Sequence, residues 1–151
     1  MAYRIHHFKD ISVVDSNLHL DIRMDRFSDQ FNRAQYGLDS MVMTSMIRFM
    51  PMQAGTFIDI TRAQSAALAG SGNVVAGAAP SGRYLYEGNA MVGERSCSAW
   101  AKRGEKKVLN GKNLQYSHHA HPNAQAHWFD AAKASDSKQW IKTTKKTAGG
   151  G

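Results

Sequence analysis

Residues 17–52 have the sequence NLHLDIRMDRFSDQFNRAQYGLDSMVMTSMIRFMPM, and the spacing of their apolar residues changes part-way along. Over residues 18–24 apolar and polar residues alternate, which is typical of a strand with one buried face. Beyond them the apolar positions lie three or four apart and predict a helix of about six turns over residues 28–50. Pro51 ends this helix because the residue before a proline avoids the helical region. The predicted buried stripe consists of Phe27, Phe31, Ala34, Leu38, Met41, Val42, Ser45, Met46 and Phe49.

Shorter elements are predicted after the long helix. They are strands at 56–61, 73–76, 90–92 and 114–116, a short helix at 83–87 that Gly88 ends, and a final helix that begins at Pro122. The final helix carries Trp128 and Phe129, and Asp136 is expected to cap a second helical piece. Together these elements predict an α+β fold. In it a small, mainly antiparallel sheet packs against the long N-terminal-half helix, with a C-terminal helix and long loops.

Length and composition predict a single domain over residues 1–151. No apolar run is long enough to span a membrane, and the first residues lack the apolar segment of a secretory signal. The single Cys97 cannot form an internal disulfide, which favours a reducing compartment during folding. We expect a mobile basic loop at about 93–113 and a flexible C-terminal tail at about 143–151.

The positive charge is confined to the second part of the chain. Residues 1–59 contain six Lys/Arg and seven Asp/Glu, whereas residues 60–151 contain thirteen and five, so the net charge of +7 arises entirely after residue 59. Such a field attracts nucleic acid or an acidic protein ring, although a solvated surface has the same composition. No motif for reading a base sequence accompanies it. The candidate interface residues are Arg95, Trp100, Lys102, Arg103, Lys106, Lys107, Lys112, Lys138, Lys142, Lys145 and Lys146.

The chain offers little support for an active site. Four of the seven histidines lie between residues 118 and 127, but their spacing, without nearby Cys or carboxylate, is poor for a zinc site. We expect His121 to cap the final helix and His127 to lie on its surface. A hydrolase using His118 or His119 as its base remains an alternative, although the carboxylates that phosphodiester cleavage usually needs are sparse here. The sequence therefore predicts no catalytic residue, no metal ligand and no cofactor.

Three short segments, in a fixed order, resemble a known family. They are FMPMQAGT at 49–56, GRYLYEG at 82–88 and HPNAQAHWFDAAK at 121–133. They resemble the small minor capsid proteins of tailed phages, also called neck, head–tail joining or tail-completion proteins. The resemblance extends from about Leu18 to Trp140. It departs from the family pattern at Ser81-Gly82, where the family often has Tyr-Ala, and residues 93–113 have no counterpart.

The resemblance implies a structural virion protein without catalytic activity. Its relatives form rings at the neck, between the portal-bound connector and the tail, through which DNA passes. Partners implied are copies of the chain in a cyclic ring (six favoured, twelve as the alternative), the adjacent connector or head-closure protein, the tail terminator or tail tube protein, and the passing viral DNA. It implies no membrane and places synthesis in the host bacterial cytoplasm. The basic loop and the tail from Lys138 are expected to contact mainly neighbouring proteins. A general nucleic-acid-binding module is the alternative function.

Overall fold

A computed structural model describes residues 4–150, and the α+β class is confirmed. Four strands and four helices occur within the described residues. In chain order they are β1 (Ile11–Asp15), β2 (Leu18–Ile22), α1 (Asp25–Ile47), α2 (Thr56–Leu68), α3 (Gly82–Glu87), β3 (Asn89–Gly93), β4 (Lys107–Asn113) and α4 (Trp128–Thr147). Instead of one sheet, the strands form two separate antiparallel hairpins, β1–β2 and β3–β4.

The core lies between helices, with α1 and α4 as its main pair. Its buried side chains are Met43, Met46, Met50, Ile58, Trp128, Ala132 and Trp140. Polar contacts fix the register of the pair, since Trp140 Nε1 donates to the Ser45 hydroxyl at 3.0 Å and Arg48 bonds Asp136 at 2.7 Å. Three of these seven side chains are methionines, whose flexible thioethers fit the irregular gap between helices.

The predicted packing of the long helix against a sheet is wrong. Phe27 is 50% exposed, and Phe31 packs edge-on against Phe8 outside the main core. Leu38, Val42 and Phe49 are partly buried, but against the helical core. Two polar residues of α1, Ser28 and Asp39, are buried because backbone groups of other segments pair with them. Ser28 Oγ accepts from the Phe8 N–H, and the Asp39 carboxylate accepts from the N–H groups of Gly70 and Gly72.

The strands predicted at 56–61 and 73–76 are also wrong. Residues 56–61 form the first half of α2, which begins after Gly55 in a left-handed conformation (φ +82°). Residues 73–76 run beside α2, where Ser65 Oγ accepts from the Val75 N–H and donates to its carbonyl. The scale of strand preferences spans only about 1 kcal/mol between residue types and depends on context, and the burial of one face of α2, together with these bonds, outweighs it here.

The C-terminal helix begins later than predicted. Its first residue is Trp128, six positions after Pro122, so His121 does not cap it; His127, with φ +50°, precedes the first turn. Asp136 lies inside one continuous helix and pairs with Arg48 rather than capping a second piece. The helix continues through Thr147, so the predicted tail is helical over 143–147, and Gly151 lies outside the described residues.

The short elements in the middle of the chain are close to prediction. The helix at 83–87 and its end at Gly88, which is left-handed with φ +72°, are confirmed. The strand at 90–92 lies within β3, and its partner β4 makes residues 93–113 a hairpin. The strand predicted at 114–116 is wrong: β4 ends at Asn113, and only the Leu114 N–H continues the pairing, with a bond of 2.7 Å to the Gly88 carbonyl.

Candidate functional site

The three segments that carry the family resemblance meet at one place in the fold. The Gln125 N–H donates to the Phe49 carbonyl at 3.0 Å. His121 Nδ1 lies 2.8 Å from the Met50 carbonyl oxygen, so this nitrogen must carry the proton. The loop before α4 is thereby fixed to the end of α1. A separate bond, from the His127 N–H to the Tyr86 carbonyl at 2.9 Å, fixes the same loop to α3.

Trp128 is the centre of this junction and is fully buried. The Tyr86 ring contacts it edge-on at 4.9 Å between centroids, and the Phe57 ring does so at 6.1 Å. The indole Nε1–H donates to the Ala76 carbonyl at 2.7 Å, which satisfies its only polar group. Burial, and then the nearby Asp130 carboxylate, raise the pKa of Tyr86. The junction is a packed structural centre that positions α3 and the hairpin following it.

The hairpin β3–β4 carries the first group of candidate interface residues. We call this hairpin, with its loop 94–106, the basic arm. Its register pairs Met91 with Leu109 and Val92 with Val108. Every residue of β4 is exposed, so the arm extends into solvent. Its exposure is what we expected of the basic segment at 93–113, since an excess of cationic side chains is costly to bury, although residues 107–113 form strand β4 rather than loop.

Glu105 organises the loop of the basic arm. Its carboxylate accepts backbone N–H bonds from Ser96 at 2.6 Å, Lys102 at 2.8 Å and Arg95 at 2.8 Å, and a hydroxyl bond from Ser96. These donors, led by Ser96, lower the pKa of Glu105 to about 2. One acidic side chain therefore shapes the loop that presents the cations. The sequence offered no signal for this role, because a Glu within a basic run has the composition of a solvated loop.

The cations of the basic arm are free to meet a partner. Arg95, Lys102, Arg103, Lys106, Lys107 and Lys112 are exposed, and within residues 4–150 none forms a salt bridge. Trp100 in the same loop is 87% exposed. An indole so open to water beside unpaired cations has the chemistry of a binding surface, since Trp and Arg are the residues that most often anchor interfaces.

The second group of candidates lies on a different element. Lys138, Lys142, Lys145 and Lys146 are exposed along the last half of α4. Gly149, just beyond that helix, lies against the Gln30 side chain near the start of α1. The basic arm instead follows α3, whose Tyr86 lies at the junction by the end of α1. The two basic clusters are therefore not brought together.

The hairpin β1–β2 is the feature that the sequence interpretation missed. We call it the apolar arm. One of its faces carries Ile11, Val13, Leu18, Leu20 and Ile22, which are between 39% and 58% exposed. Its opposite face carries Ser12, Val14, His19 and Asp21. The alternation was visible in the sequence, but it indicates only that one face is apolar. It does not indicate that the same chain covers that face.

The two arms leave the molecule at opposite ends of α1. The apolar arm is fixed to the start of α1, where Asp10 Oδ1 accepts from the Met24 N–H at 2.6 Å. The basic arm follows α3 and is fixed near the end of α1 through the junction at Trp128. A helix of 23 residues is about 34 Å long. The chain therefore presents two different exposed surfaces, one from each end.

The histidines between residues 118 and 127 make separate contacts. His118 Nδ1 lies 3.0 Å from the Pro122 carbonyl oxygen, and His119 is exposed. His127 lies 3.7 Å from Glu87 and 3.9 Å from Asp130, at the surface beside the junction. Among residues 4–150, no three His, Cys, Asp or Glu side chains lie close enough together to hold a metal ion. In the same range no helix has the length and apolar character needed to cross a membrane.

Comparison with known proteins identifies no relative of this chain. No protein-family model, no curated protein and no solved structure matches it. The resemblance to phage neck proteins therefore rests on the three segments at 49–56, 82–88 and 121–133 alone.

Proposed function

We propose that this chain is a structural protein of tailed-phage virions. In this role it forms a ring at the neck, connects the portal-bound connector to the tail, and leaves a passage for DNA. The role requires no catalysis and no cofactor. The chain would be made in the host bacterial cytoplasm and end in the virion.

The observation that supports this proposal is the pair of exposed arms at opposite ends of α1. A closed ring needs a heterologous interface, in which two different surfaces of each subunit meet. The apolar arm and the basic arm are two such surfaces, and they differ in charge. A monomeric protein gains nothing from exposing an apolar sheet face at one end and an 87% exposed Trp100 at the other.

The junction at Trp128 lends separate support to the resemblance. The segments at 49–56, 82–88 and 121–133 are far apart in the sequence, yet their backbones are bonded to one another. Segments that pack as one structural centre are what a shared fold would retain. The role proposed for them is architectural, namely to hold the basic arm at a set angle to the helices.

The proposed partners follow from the neck position. Copies of the chain form the ring, with six subunits favoured and twelve as the alternative. The connector or head-closure protein lies on one side, and the tail terminator or tail tube protein on the other. DNA passes through the lumen, where tight binding would hinder ejection. We therefore assign the basic arm and the α4 lysines mainly to protein contacts.

The test is charge reversal at Lys102, Arg103, Lys106 and Lys107 in the phage that encodes the chain. We expect DNA-filled heads without tails to accumulate, while the purified variant keeps its melting temperature. Replacing the three lysines by Arg preserves the charge and should leave joining normal. If the charge-reversed variant joins heads to tails normally, the basic arm has no role in joining and its charges only solvate the surface. Symmetry in images of the neck provides a further check, since a twofold or asymmetric arrangement would contradict the ring.

A nucleic-acid-binding module is the second candidate function. The exposure of Trp100 beside cations favours it, because an indole can stack on unpaired bases while cations neutralise phosphates. Binding of the purified protein to single-stranded DNA should then fall steeply with salt concentration. A Trp100→Ala variant that loses this binding while the phage still joins heads to tails would favour the module over the ring.

A further inference from the structure

The uncovered face of the apolar arm is the starting point. Five aliphatic side chains stand on one face of a two-stranded hairpin, and each remains at least 39% exposed. An isolated two-stranded hairpin is marginally stable in water and normally needs a packing partner. Within residues 4–150, nothing covers this face enough to bury any of the five side chains. This face is therefore available for contact with another molecule.

Charge narrows the choice of that partner. The apolar arm, residues 11–22, contains two Asp and no Lys or Arg, so its net charge is −2 with His19 neutral. Residues 89–113 contain six Lys/Arg and two Glu, so the basic arm has a net charge of +4. Because Glu105 is engaged by the backbone of its own loop, the cations of the basic arm face outward largely uncompensated. Surfaces of opposite charge attract each other and fix the register in which they meet.

The basic arm also has apolar surface to offer. Trp100 is 87% exposed, and Leu109 on β4 is 58% exposed. An indole placed on the aliphatic face of a hairpin buries a large area with few rotamers to lose, which is the usual character of an interface anchor. The two arms therefore match both in apolar surface and in charge.

The two arms of one molecule do not meet in the structure, because the five aliphatic side chains of the apolar arm all stay exposed. They start from opposite ends of α1, which is about 34 Å long, and the contacts at each end fix them there. We infer that the apolar arm of one copy docks on the basic arm of a second copy, in a head-to-tail contact. The inference rests on the proposed function for the closure of the ring, but the contact itself can be tested on the purified chain.

Native Cys97 provides a probe for this contact, because it is exposed in the loop of the basic arm. In the test, Leu20→Cys places a second thiol on the apolar face of the other arm. Treatment of the full chain with a short bis-maleimide reagent should then yield a ladder of dimers, trimers and larger species. The matched control is Val14→Cys, which is 71% exposed on the opposite face of the same arm. It should yield only the background of cross-linked species.

Two additional variants, made in the Leu20→Cys protein, separate the contributions. Trp100→Ala should reduce the ladder about tenfold, since it removes an aromatic anchor. Lys102→Glu with Lys107→Glu should reduce it as well, and raised salt should weaken the original ladder because it screens the charges. Circular dichroism should confirm that every variant remains folded.

The outcomes distinguish the contact from the proposed role. Equal ladders from Leu20→Cys and Val14→Cys, or no ladder from either, would overturn the docking. Dimers from Leu20→Cys in a Cys97→Ser background would also overturn it, because they would show pairing of two apolar arms. Absence of the ladder in a protein whose basic arm is still needed for head–tail joining would refute only the contact. A ladder from a protein that the phage does not need for joining would refute only the proposed function.

Discussion

Substitution of Trp128 tests whether the three resembling segments form one structural centre. The Trp128 side chain is fully buried. Two aromatic rings contact it edge-on, and its Nε1–H donates to the Ala76 carbonyl. Replacing a fully buried Trp by Ala costs about 3–5 kcal/mol in the free energy of unfolding. We expect Trp128→Ala to fall in that range. Trp128→Phe keeps most of the ring but leaves that carbonyl without its donor, a loss of about 1–3 kcal/mol.

The assay is urea unfolding followed by far-UV circular dichroism, which does not depend on tryptophan emission. Trp100→Ala is the matched control, because it makes the same change at a side chain that is 87% exposed. In protein dilute enough to be monomeric, it should alter the free energy of unfolding by no more than about 0.5 kcal/mol. A loss below about 1 kcal/mol for Trp128→Ala, or equal losses for the two variants, would refute the junction as the centre of the fold.

Three further predictions address single side chains. Asp39→Ala should lower the free energy of unfolding in urea by about 2–4 kcal/mol, because the two N–H groups that follow α2 lose their acceptor. Asp39→Asn should cost less, because the remaining amide oxygen can accept both N–H bonds. Equal losses for the two variants would contradict this. The lowered pKa of Glu105 means that its carboxylate stabilises the loop fully above about pH 4.5 and stops doing so as pH falls through about 2. The backbone amides of residues 95, 96 and 102 should therefore exchange more slowly at pH 5 than at pH 2, once the rates are corrected for the intrinsic pH dependence of exchange. In the Glu105→Gln variant this difference in protection should be absent. Phe31→Ala should lower the free energy of unfolding by about 1–2 kcal/mol, since the ring is only partly buried against Phe8. A loss above about 3 kcal/mol would instead indicate that Phe31 belongs to the main core.

Local patterns predicted much of the secondary structure. The alternation at 18–24 matches β2, the three-to-four spacing matches α1, and Gly88 ends α3 at the expected position. These features depend on a few neighbouring residues, so their physics is contained in the sequence around them. The prediction of a strand at 56–61 is wrong because the structure of this segment depends on residues far from it in the sequence. Its β-branched residues favour a strand weakly, and the packing of α2 against distant segments outweighs that preference.

The candidate site was predicted in part. The cations and Trp100 of the basic arm were identified from composition, and the hairpin places them together on one exposed element. The role of Glu105 and the exposure of the apolar arm were not identified. A carboxylate that accepts backbone bonds has no signature in composition, and an alternating strand has the same pattern whether its apolar face meets its own chain or another.

The amino-acid sequence accounts for the periods of β2 and α1, the end of α3 at Gly88, and the separation of a nearly neutral first part from a basic remainder. The tertiary structure alone decided that Phe49, Tyr86 and His127 meet around Trp128, and that the two arms leave from opposite ends of α1. The physical reason is that a periodic pattern records which side chains avoid water. Only the packing of distant segments determines which residues exclude that water. For the apolar arm, no packing within the described residues buries the aliphatic face.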